Sequence, residues 1–198
     1  MLLLVSKADG TLERYKHPNL GRLDVPRSWA KNPRSGLPFA ADNDCFNGLD
    51  PYAYRRMVKG LPKGALFVTV PDVVGDHAAT LRRWKVWEPL VSARHRPAFV
   101  LQDGCEQWQQ VPDCPAVFIG GTTGYKLGDA AARLTREAKL RGIWVHMGRV
   151  NTRRRIRYAK SIGCDSIDGT GFSMFTDTHL AWGLRECAAD TQTMLLEG

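Results

Sequence analysis

The chain has no C-x-x-C pair and no compact Cys/His cluster. Its five cysteines (Cys45, Cys105, Cys114, Cys164, Cys187) and five histidines (His17, His77, His95, His146, His179) are scattered along 198 residues. That spacing argues against a local zinc site and leaves only ligands drawn together from distant segments. An odd number of thiols without an export signal points to reduced cysteines. Long apolar runs are missing too: in "MLLLVSKADG" four apolar residues follow Met1 before polar ones return, which is too few for a signal peptide or a membrane span. No later stretch reaches membrane length, so a cytosolic protein without a membrane partner is expected. Internal repeats and low-complexity tracts are absent, and "GGTTGYKLG" lacks the G-x-x-x-x-G-K-[ST] spacing of a triphosphate-binding loop.

What the chain does have is a core and a basic balance. Hydrophobic residues make up 43% of it, enough for one domain of this length and with no need for a second. Lys and Arg number 28 against 20 Asp and Glu, a formal net charge of +8. Such an excess favours a polyanionic partner through phosphate attraction and counterion release, without telling RNA from DNA.

The stretch from about 7 to 36 is polar and basic and contains Pro18, Pro26 and Pro33, so it reads as an irregular arm or long loop. Beyond it, "LPFAAD", "ALFVTVPD", "PAFVLQDG", "AVFIGG", "IWVHMG" and "CDSIDG" each look like a buried strand closed by Gly, Pro or Asp. Amphipathic helical segments lie between most of them. Asp50-Pro51 opens one that Gly60 closes, Asp76 caps a second that Pro89 ends or kinks, and Asp129 and Asn151 start two more that stop at Gly142 and Gly163. A last helix begins near Thr176 or Asp177. With "LLLVS" near the start, about seven strands alternate with helices. That pattern predicts a compact TIM-like (β/α) barrel of parallel strands, complete or incomplete, with a doubly wound open sheet as the alternative.

In parallel α/β folds reactive groups gather at the C-terminal ends of the strands, where loops can diverge while the sheet keeps its packing. The strand ends here carry Asp42, Asp72, Gln102, Gly120 with Gly121, His146-Met147-Gly148 and Asp168. A single strand-end Asp, such as Asp168 in "SIDGTG", is ordinarily a cap or turn former. A whole rim of such residues is a candidate functional site. Carboxylates crowded together raise one another's pKa, which makes acid and base roles available. An Asp beside a Gln suits the edge of a purine-like heterocycle, and a Gly-Gly backbone permits close approach to a flat ring. Phe46 and Met147 could sandwich such a ring, although core filling is the ordinary role of either residue alone.

These motifs occur in the order found in tRNA-guanine transglycosylases. "DNDCF", "VPD", "LQDG", "GGTTG", "HMGRVNT" and "SIDG" resemble that family's D-S-G-G-F/Y-Q, Asp-bearing strand end, V-Q-G-G, G-G-L, L-M-G-V-G-T and F-D-C elements. The shortness of the chain, the "PDVVGD" block and the lack of a C-terminal zinc-binding segment make it more similar to the DpdA-type DNA relatives. Those are often phage-borne and put 7-deazaguanine derivatives into DNA. The resemblance implies a pentosyltransferase in which Asp168 is the nucleophile on the sugar C1′ and Asp42 the general acid/base. It makes Asp72 and Gln102 readers of the base edge, Gly120 and Gly121 a backbone contact to the base, and Phe46, Met147 and His146 parts of its pocket. It also implies DNA as partner with tRNA as the alternative, a 7-deazaguanine-type base, no cofactor and no metal. A homodimer and a helper protein both stay open. The chain departs from the family at Asp44 and Cys45, which replace two glycines, at Thr122, which stands where Leu is usual, and at His146 before the Met.

"NTRRRIR" places Arg153, Arg154, Arg155 and Arg157 in the first turns of a helix just beyond the rim. Cations are unfavourable at a helix N-terminus, so the cluster suits a phosphate backbone better than it suits an isolated helix. Arg82, Arg83 and Lys85, interleaved with Trp84 and Trp87, suit helix packing with snorkelled charges.

Overall fold

The computed structural model describes residues 1–7, 11–31 and 36–189. Eight parallel strands close on themselves in sequence order: β1 Leu2–Val5, β2 Leu20–Asp24, β3 Phe39–Ala41, β4 Val68–Thr69, β5 Pro97–Leu101, β6 Ala116–Ile119, β7 Trp144–Met147 and β8 Ser166–Asp168. Closure comes from β1 pairing with β8, Leu2 opposite Ser166 and Leu4 opposite Asp168. The protein is therefore a complete TIM-like (β/α) barrel, neither an incomplete one nor an open sheet. The extra strand is β2, which lies inside the stretch expected to be irregular. Short 3-10 turns at Thr11–Arg14 and Trp29–Lys31 flank it, while Pro33 lies outside the described residues. All five residues of β2 are buried, and Arg22 and Asp24 neutralise each other there through bonds of 3.0 and 3.2 Å.

Helices α1 Pro51–Gly60, α2 His77–Ser92, α3 Thr123–Lys126, α4 Asp129–Leu140, α5 Arg153–Ser161, α6 Thr170–Met174 and α7 Thr176–Ala188 follow the later strands. Asp50 accepts from the backbone N–H groups of Tyr52 and Ala53, and Asp76 from that of Ala79, so both predicted caps form. Pro89 does not end α2. It sits exposed in the helix interior, where its ring faces water and the carbonyl it frees can be hydrated. The cap of α5 is Thr152, which accepts from the Arg155 N–H, whereas the Asn151 amide oxygen accepts from the Gly171 N–H and ties the β7 and β8 loops together.

Strand alternation sorts the apolar residues into two cores. Leu4, Leu23, Ala40, Phe67, Ala98 and Ala116, with Phe118 and Trp144 against them, fill the lumen. The opposite phase, including Leu3, Val68, Phe99, Val117, Val145, Met147 and Ile167, packs under the helices. Each fully buried large side chain contributes about 1.5–3 kcal/mol relative to exposure. Both layers thus hold the strand ends in fixed register.

Candidate active site

The lumen phase, continued past the last apolar layer, brings Asp42, Thr69, Gln102, Gly120 and Asp168 to the C-terminal mouth of the barrel. There Asp42, Asn43, Phe46, Thr69, Asp72, Gln102, Gly120, Gly121, Arg149 and Asp168, with Val74, Val100 and Phe118, line a recess of about 460 Å³ that opens to solvent. Of the rim residues expected from sequence, all except His146, Met147 and Gly148 meet in it.

One wall is a hydrogen-bonded amide and carboxylate pair. Asp72, 5% exposed, accepts from Asn43 Nδ2 at 2.8 Å on one oxygen and from Gln102 Nε2 on the other. Gln102 Oε1 accepts from the Gly75 N–H at 2.9 Å, which fixes the direction of the amide. Burial raises the pKa of Asp72, and the Asn43 bond opposes that shift. Asn43 also donates to Val70 O at 2.8 Å. Gly120 forms the flat floor: a Cβ built there would lie 2.6 Å from Val100 Cγ1 and 3.2 Å from Gln102 Nε2. Gly121 has φ +71° and backs onto Asp103, whose two oxygens accept from the Thr122 N–H at 2.8 Å and hydroxyl at 2.6 Å.

Facing that wall are the two remaining aspartates. Asp42 is pushed up to about 8 by burial first, then by the charges of Asp168 and Asp72, so it is mostly protonated at neutral pH. Asp168 accepts from the Arg149 backbone N–H at 3.1 Å on Oδ1, and His146 Nε2 lies 2.9 Å from its Oδ2. A protonated acid and a held carboxylate in one recess give the site an acid and a nucleophile together.

Two expected ring contacts fall elsewhere. Met147 is in the outward phase of β7, opposite Ile119 and Ile167, and is 1% exposed in the helix-covered core. His146 is in the inward phase but lies beneath the recess, wholly buried between Phe67 and Phe118, and meets Asp168 from below. Of the expected ring contacts Phe46 does line the recess, 64% exposed at its mouth.

Sequence reasoning missed Arg149, Asn43 and Lys126. The Arg149 guanidinium stacks over Phe46 and donates to Gly121 O, from a backbone at φ +61°. The Lys126 ammonium is buried and donates to Gly148 O at 2.9 Å. Burial first, then the Arg149 charge, lower it to about 8. Asp44 adopts φ +59°, a left-handed conformation that a short polar side chain tolerates. It also accepts from Arg27 Nε at 2.5 Å and Asn47 Nδ2 at 2.7 Å.

A second recess, of about 960 Å³, shares Asp42, Phe46, Arg149 and Asp168 with the first and extends past Arg27, Gly169, Thr170 and Ser173. The arginine cluster lies beyond it on α5. Arg153 and Arg157 face Glu186 of α7 at 3.7 and 3.2 Å, and Arg153 also stacks on Trp182. Arg154 is exposed and Arg155 half-buried. The carboxylate on α7 explains part of the cluster without any phosphate. Arg83 donates to the Asp72 carbonyl while Trp84 and Trp87 are buried, as packing predicts. Among the described residues no group of three or more His, Cys, Asp or Glu is placed to hold a metal ion, and no helix is long and apolar enough to cross a membrane.

Fold and site together define a (β/α) barrel with an acidic, amide-lined recess at the C-terminal mouth. No protein-family model matches the chain, and no curated protein matches it either. Among solved structures it is similar to a native KDPGal structure, at 12% identity over 94% of this chain and 95% of that one with a TM-score of 0.48. It is also similar to a mutant of FabK from Thermotoga maritima, at 11% identity over 87% of this chain and 62% of that one with a TM-score of 0.45. The chain thus spans less than two thirds of the FabK structure. At these values neither similarity bears on the site.

Proposed function

We propose that the protein is a base-exchanging pentosyltransferase. It replaces guanine in DNA with a 7-deazaguanine derivative through a covalent aspartyl-sugar intermediate, and tRNA is the alternative nucleic acid. The observation that carries this reading is the convergence of Asp42, Asp72, Gln102, Gly120, Gly121, Phe46 and Asp168, distant in sequence, on one recess. After accepting from Asn43 and Gln102, the Asp72 carboxylate keeps acceptor capacity for ring N–H groups, and Gln102 keeps one N–H to donate. Phe46 supplies a stacking face and Gly120 a flat backbone.

Replacing a base without cutting the backbone takes two displacements. Asp168 attacks C1′, the C1′–N bond breaks with its electron pair going to guanine, and Asp42 gives that nitrogen a proton. The incoming base then attacks C1′ and loses its N–H proton to Asp42, while the ester bond breaks and returns its pair to Asp168. Configuration is retained. The guanine must first leave its stack, at roughly a few kcal/mol in a duplex. The basic surface, with Arg154 exposed beside the mouth, offsets that cost.

The test is incubation with radiolabelled guanine or a 7-deazaguanine and either DNA or tRNA. Label entering DNA supports the reading, and label entering tRNA favours the alternative. Binding without exchange makes the protein a non-catalytic nucleic-acid-binding module. Asp168→Asn and Asp42→Asn should each reduce incorporation by at least about 10³-fold, the scale on which removing a catalytic group acts.

A further inference from the structure

We infer that His146 is a positioning residue that makes Asp168 able to leave as well as to attack, acting from inside the barrel under the control of Ser166 and Trp144. The assignment rests on the base-exchange reading.

The relay runs up the lumen. Trp144 Nε1 lies 3.0 Å from Ser166 Oγ, Ser166 Oγ lies 2.8 Å from His146 Nδ1, and His146 Nε2 lies 2.9 Å from Asp168 Oδ2. An indole N–H can only donate, so it fills one lone pair of Ser166 Oγ and leaves the hydroxyl proton free to go to His146 Nδ1, the direction we assign. With Nδ1 accepting, the ring carries its proton on Nε2 and donates it to Asp168. This assignment satisfies every polar atom of the chain of groups. Phe67 and Phe118 pack tilted against the imidazole, with ring centroids 5.0 and 4.6 Å away. Strand register fixes the rest, because Phe118 pairs with His146 and His146 with Ser166.

The chemical consequence is directional. A donor on each oxygen, His146 on Oδ2 and the Arg149 N–H on Oδ1, stabilises the carboxylate over its ester. A carboxylate held by two donors attacks C1′ a little more slowly and departs from it faster. Exchange needs both steps, so removing the donor should tip the balance toward the ester. The covalent intermediate then persists. Loss of fold or of binding would do the opposite and lower adduct and turnover together.

Two measurements test this. Long-range ¹⁵N–¹H correlation spectra of the imidazole in the unliganded protein should show His146 neutral with its proton on Nε2, and Ser166→Ala should disturb that pattern. A ring protonated on Nδ1, or on both nitrogens, overturns the relay. Denaturing gels of the protein with guanine-containing DNA, together with steady-state exchange, then read the role. His146→Leu should lower kcat about tenfold while raising the fraction trapped as protein–DNA adduct several-fold, Ser166→Ala should do both more weakly, and His146→Gln, which can still donate, should restore part of the turnover. Adduct falling in step with kcat in every variant overturns the role. If the spectra are as expected but the wild-type protein forms neither adduct nor exchange product, the base-exchange reading fails, and that failure is visible apart from the relay.

Discussion

The Arg149 guanidinium carbon lies 4.5 Å from the centroid of the Phe46 ring, a cation resting on an exposed aromatic face at the mouth of the recess. The same side chain donates to Gly121 O, and the same residue's N–H donates to Asp168. Gly121, Phe46 and Asp168 therefore share one partner, and a flat ligand that stacks on Phe46 must displace or sandwich that guanidinium.

Arg149→Lys should keep the charge and lose the planar stacking and forked donation. A cation on an aromatic face is worth about 0.5–2 kcal/mol, and 1.4 kcal/mol is a factor of ten, so kcat/KM for the incoming base should fall about tenfold. Steady-state incorporation of labelled base reads this, and an unchanged KM would show that stacking over Phe46 does not matter.

Asp42 gives a prediction with a sign. Its folded pKa is about 8 against an ordinary 3.8, so between those values the folded protein holds a proton that the unfolded chain has lost. Stability from this group is therefore lost as pH rises from about 4 to about 8. Asp42→Asn should raise Tm at pH 7.5 by more than at pH 4, with each 1 kcal/mol worth about 2–4 °C in a chain of this size. Calorimetry at the two pH values decides it. In the wild-type protein the first displacement should also slow as pH climbs through about 8, because the acid is then ionised.

Gly120→Ala would place a methyl 2.6 Å from Val100 Cγ1 and 3.2 Å from Gln102 Nε2. Overpacking of this kind costs about 1–3 kcal/mol, and here it also lifts the floor under the ligand. The expected outcome is a lower Tm together with a KM for the base raised by at least about tenfold, measured by thermal melts and saturation kinetics.

The four arginines of the α5 cluster should separate. Arg154→Glu should weaken nucleic-acid binding about equally for all sequences and reduce the salt slope by about one, as loss of a phosphate contact does. Arg157→Ala should chiefly lower Tm, since its partner is Glu186 on α7 at 3.2 Å. Fluorescence anisotropy across a salt series distinguishes them, and equal salt slopes would contradict the division.

Helices α1, α2, α4, α5 and α7, the caps at Asp50 and Asp76 and the acidic strand ends were legible in the sequence because each depends on local spacing, whereas the one-turn helices α3 and α6 and the Thr152 cap were not. β2 was not. "LGRLD" carries a charged pair between prolines and looks like a surface loop, and only closure of the barrel reveals that Arg22 and Asp24 neutralise each other out of water. The error at "WVHM" was of another kind. Strand alternation alone places Trp144 and His146 on one face and Val145 and Met147 on the other, so His146 belonged to the lumen and Met147 to the outer layer. Arg149 was out of reach, since its position depends on a left-handed backbone that no residue pattern announces.

The apolar plug of Leu4, Leu23, Phe67, Ala98 and Ala116 closes the lumen beneath the recess. In the proposed chemistry the departing base and its replacement therefore use the same recess in turn. For the proposed chemistry this means ping-pong kinetics, seen as parallel lines in double-reciprocal plots.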